Sequence, residues 1–70
     1  MLSQVQKEML EALANSSKQN PVDLSEKFDF TGNADNYAEY LSLCQRGLVD
    51  DNNQGSWLTS LGADSVNAMV

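Results

Sequence analysis

The sequence predicts a mainly α-helical domain carrying one small β-hairpin, a single unit spanning residues 1–70. Three observations predict it. Leu2, Val5, Met9, Leu10 and Leu13 recur at helical spacing near the start of the chain. Tyr37, Tyr40, Leu41 and Cys44 repeat that pattern in the middle. Leu48-Val49 and Trp57-Leu58 are short β-type pieces flanking Asp50-Asp51-Asn52-Asn53-Gln54-Gly55, a run of turn formers.

The elements follow in order. A first helix is expected from Leu2 to Ala14, with Gln4, Lys7, Glu8 and Glu11 largely on its wet side and Asn15-Ser16-Ser17 as a polar stop. A second, short helix is expected within Asn20 to Phe28. Pro21 keeps its predecessor extended, Asp23 and Glu26 have the spacing of a capping box, and Leu24 and Phe28 lie one turn apart on the buried side. Gly32 and Asn33 then break the chain. A third helix runs from Ala34 to Arg46 with Tyr37, Tyr40, Leu41 and Cys44 turned inward. Leu43 lies off that stripe and can face another element. Gly47 ends the helix where a left-handed residue is needed. The hairpin must lie against the helices, because an isolated one is unstable in water. Trp57 stands either inward as its anchor or outward at an interface, and alternation allows only one of Trp57 and Leu58 full burial. Thr59 caps a last helix, Ser60 to Ala68, with Leu61, Val66 and Met69 inward. Gly62 inside it costs about 1 kcal/mol against alanine and allows close approach to a neighbour.

Helix, short helix, helix, hairpin, helix is the order of a winged helix-turn-helix. Leu24-Ser25-Glu26-Lys27-Phe28-Asp29-Phe30 resembles the first helix and turn of that motif. Leu41 to Val49, with its Gly47-Leu48-Val49 exit, is similar to the end of a recognition helix running into the first wing strand. Leu58-Thr59-Ser60-Leu61-Gly62 resembles the run with which bacterial regulators of the MarR and ArsR types leave the wing. The likeness extends from Leu2 to about Met69. It departs from the family pattern in three places. Trp57 stands directly before Leu58 instead of one residue earlier, the turn from Asp29 to Ala34 is long, and neither the wing nor the third helix is basic. The resemblance implies a regulatory or binding module, and fold alone does not choose its partner.

Charge narrows that choice. Four Lys and Arg stand against ten Asp and Glu, a net charge of −6. DNA binders gain most of their affinity by neutralising phosphates, so a protein partner is expected ahead of DNA. A DNA-binding transcriptional regulator is the alternative, and an acidic mimic of nucleic-acid charge is a third reading. Catalysis is not expected. There is no histidine to act as a general base or metal ligand, the glycines form no phosphate loop, and the one cysteine sits on an apolar stripe. No cofactor or metal is implied. A lone thiol suits a reducing, cytoplasmic setting. No apolar run approaches the roughly 20 residues of a membrane helix, and the N-terminus lacks a secretion signal. Without a long terminal helix to pair, a monomer is expected.

The candidate partner-binding residues are Asp35, Asn36, Glu39, Ser42 and Arg46 on the outer side of the third helix, Asp50 and Asp51 opening the wing, and Trp57. Asn36 and Ser42 have the groups to read base edges and Arg46 to hold a phosphate. The carboxylates oppose a phosphate backbone and suit a basic or mixed protein surface.

Overall fold

A computed structural model describes residues 1–68. Among the described residues the order is α1 (Gln4–Ala12), α2 (Ala34–Gln45), β1 (Val49–Asn52), β2 (Gly55–Leu58) and α3 (Ser60–Ala68). The core joins Met9, Leu10 and Leu13 to Leu24, Phe28, Tyr40, Leu43, Leu48 and Val49. α1 begins at a capping box. The Ser3 hydroxyl accepts from the Gln6 amide at 3.2 Å, and the Gln6 side-chain carbonyl accepts from the Ser3 amide at 3.0 Å. Gln6 is buried, and its side-chain amide also donates to the Glu39 carbonyl at 3.3 Å. One polar side chain thus starts α1 and ties it to α2.

The expected short helix over Asn20 to Phe28 does not form. Val22 instead pairs with Ser56, each amide donating to the other's carbonyl at 2.8 Å. Residues 25–30 make a single coil of turns. Phe30 N–H reaches the Ser25 carbonyl at 3.1 Å and Asp29 N–H the Glu26 carbonyl at 3.3 Å, with Asp29 left-handed at φ 50°. That is a Schellman closure one turn after the start. The Asp23 carboxylate is spent on Ser25 N–H at 2.9 Å, which lowers its pKa, rather than on a capping box. A segment this short cannot repay helix nucleation. The four-residue spacing of Leu24 and Phe28 still delivers both into the core.

α2 is rotated from its expected setting. Leu43 is fully buried, whereas Leu41 is 40% and Tyr37 44% exposed. The helix carries two apolar stripes, and the core takes the one with Tyr40 and Leu43. Its N-terminus is held by the Asn33 side chain, which accepts from Asn36 N–H at 3.1 Å. Its end is a second Schellman closure, with Gly47 at φ 77°, Leu48 N–H on the Leu43 carbonyl and Gly47 N–H on the Cys44 carbonyl.

The hairpin pairs Val49 with Leu58, Asp50 with Trp57, Asp51 with Ser56 and Asn52 with Gly55. The Asn52 side chain closes its turn, accepting from Gln54 N–H at 2.8 Å and Gly55 N–H at 3.2 Å. A Cβ on Gly55 would stand 2.8 Å from the Val22 backbone carbon, so glycine is what lets the Val22 segment lie against β2. Leu58 packs against the core, and the Ser16 hydroxyl accepts from its amide at 3.2 Å. The Thr59 hydroxyl accepts from Gly62 N–H at 3.1 Å and donates to the Gly47 carbonyl at 2.6 Å, capping α3 and binding it to the α2 exit. Within α3, Val66 packs on the core, but Leu61 is 56% exposed, against the expectation. Met69 lies outside the described residues.

Candidate interaction surface

The outer side of α2 and the first strand of the hairpin hold most of the residues singled out in the sequence, but they are not equivalent. Asp35 and Arg46 are exposed at opposite ends of α2, and Ser42 is half-buried. Asp35 lies in the first turn, where the helix dipole favours a negative charge. Asn36 and Glu39 were expected to face outward, and both are committed to the fold instead. The Asn36 side-chain amide donates to the Phe28 carbonyl at 2.9 Å, fastening the coil of turns to α2. The Glu39 carboxylate accepts from the Ser3 hydroxyl, and Glu39 is half-buried between α2 and the start of α1.

The hairpin divides its residues by face. Opposed residues share a face, and neighbours along a strand alternate. Val49, Asp51, Ser56 and Leu58 therefore share the side that carries buried Val49 and Ser56. Asp50 and Trp57 share the other. Trp57 is half-buried. Neither it nor Leu58 is fully buried, and Leu58 supplies the anchor.

Tyr40 joins α2 to both strands. Its hydroxyl donates to the Asp51 carboxylate at 2.7 Å and lies 2.5 Å from the buried Ser56 hydroxyl. Burial pushes the Tyr40 hydroxyl pKa well above its ordinary range; the Asp51 bond adds to the rise and the Ser56 bond opposes it. The Cys44 thiol is also raised, first by burial and then by the Asp51 and Asp50 carboxylates, against a lowering by Tyr40. It therefore stays protonated at neutral pH, the form that is a poor nucleophile. Phe30 extends the ring cluster, 5.5 Å from Tyr37 and 5.0 Å from Tyr40 between centroids.

Sequence reasoning missed the largest exposed groups here, Tyr37 and Leu41. At 100° per residue, Ala34, Tyr37, Ala38 and Leu41 fall on one side of α2, and all are exposed. The signal was present in Leu43. An isoleucine-sized residue off the expected stripe, on a helix rich in apolar positions, marks a second stripe competing for the core. From residue 34 to 58 the acids are Asp35, Glu39, Asp50 and Asp51, and the sole base is Arg46.

Among the described residues no three or more His, Cys, Asp or Glu side chains stand together as a metal site. No described helix is long and apolar enough to cross a membrane. Comparison with protein-family models, characterised proteins and solved structures gives no match.

Proposed function

We propose that this chain is a non-enzymatic interaction module of winged-helix type, which binds a protein through the outer face of α2 and the adjoining hairpin. The exposed Tyr37–Leu41 ridge carries the proposal. A helix that reads DNA presents polar and basic side chains to the groove. Here the corresponding helix presents an aromatic and an aliphatic side chain, and α2 itself has no Lys or Arg. Large apolar groups held outward on a rigid element suit a protein interface, where aromatic residues serve as anchors.

Support for the winged-helix reading comes from the order of elements. A helix precedes a turn-closed segment, a helix follows it, and a hairpin folds back onto both. The coil at residues 25–30 stands where the first helix of the motif is expected. A reducing compartment such as the cytoplasm suits the free Cys44.

The test is a comparison of the wild-type chain with Leu41→Gln, a change at an exposed position. Each would be immobilised and exposed to extract from the native host, alongside a titration with duplex DNA at low salt. A protein retained by the wild type and lost with Leu41→Gln, with no DNA binding, is the expected result. Duplex binding that weakens steeply with added salt would replace this reading with that of a DNA-binding regulator.

A further inference from the structure

We draw no further inference here: the strongest candidate, the exposed Tyr37–Leu41 face of α2, belongs to the interaction surface already described, and nothing in the structure shows what covers it.

Discussion

Gly62 carries a packing constraint that outweighs its own helix propensity. A Cβ there would lie 1.9 Å from the Leu48 carbonyl oxygen and 3.2 Å from Leu58 Cδ2. The oxygen cannot simply move aside, because it accepts the Thr59 amide at 3.1 Å. Alanine favours the helical backbone by about 1 kcal/mol, while forcing α3 off a packed backbone costs about 2–3 kcal/mol. Gly62→Ala is therefore expected to destabilise the fold by about 1–2 kcal/mol, read from the urea midpoint. An unchanged or higher midpoint would show that α3 does not lie against the α2 exit as described. The sequence identified the glycine and its capping threonine. The carbonyl that makes glycine necessary comes from a residue fourteen positions earlier and is visible only in the fold.

At the scale of the element, α2 shows how a helical pattern leaves its rotation open. Its sequence offers a stripe through Tyr37 and Leu41 and another through Tyr40 and Leu43. Tyr40 belongs with the buried set because the Asp51 carboxylate accepts from its hydroxyl and the buried Ser56 hydroxyl bonds to the same oxygen. Leu43 goes with it into the core that holds Met9, Leu10, Leu13, Leu48 and Val49. The two leucines therefore predict opposite outcomes. Leu43→Ala should cost about 2–5 kcal/mol, a large fraction of the roughly 5 kcal/mol available to a small domain. Leu41→Ala should cost about 0.5 kcal/mol. Thermal unfolding of both variants by circular dichroism checks the rotation directly, and equal losses would contradict it. The missing second helix has a related cause. Leu24 and Phe28 needed only one turn to reach the core, and Asp29 closed it.

The whole molecule has a Cα radius of gyration of 10.9 Å, against about 11 Å expected for a domain of its length. The hairpin thus lies against the helices, not as a projecting arm, and Tyr40 is its bolt. Its hydroxyl and the Cys44 thiol are both acids whose folded-state pKa values are raised by burial and nearby carboxylates. The unfolded chain releases these protons first, near the ordinary values of about 8.5 for a thiol and about 10 for a phenol. Above those values the folded state holds more protons than the unfolded one, so stability falls as pH rises. Below them neither group makes stability depend on pH. The urea midpoint should therefore lose nothing through these groups between neutrality and about pH 8, and should decline above that. Tyr40→Phe should lower the neutral-pH stability by about 1 kcal/mol and remove the part of the decline that sets in near pH 10. A variant with the wild-type alkaline profile would contradict the placement of this hydroxyl.

Local chemistry was enough to determine α1, the extent of α2, the presence of a hairpin, the Gly47 exit and the Thr59 cap, because spacing, turn formers and capping groups act within a few residues of one another; the strands themselves, Val49–Asn52 and Gly55–Leu58, reach into the run expected as the turn. It also determined the excess of negative charge, which is a count. Three things were decided by contacts between distant segments. Val22 found Ser56 and stayed extended, α2 turned Leu43 inward and Tyr37 with Leu41 outward, and Asn36 and Glu39 were taken from the surface by Phe28 and Ser3. A one-dimensional pattern can say that a helix has apolar and polar sides. Which apolar side meets water depends on the neighbours it packs against, and those neighbours are set by the tertiary fold.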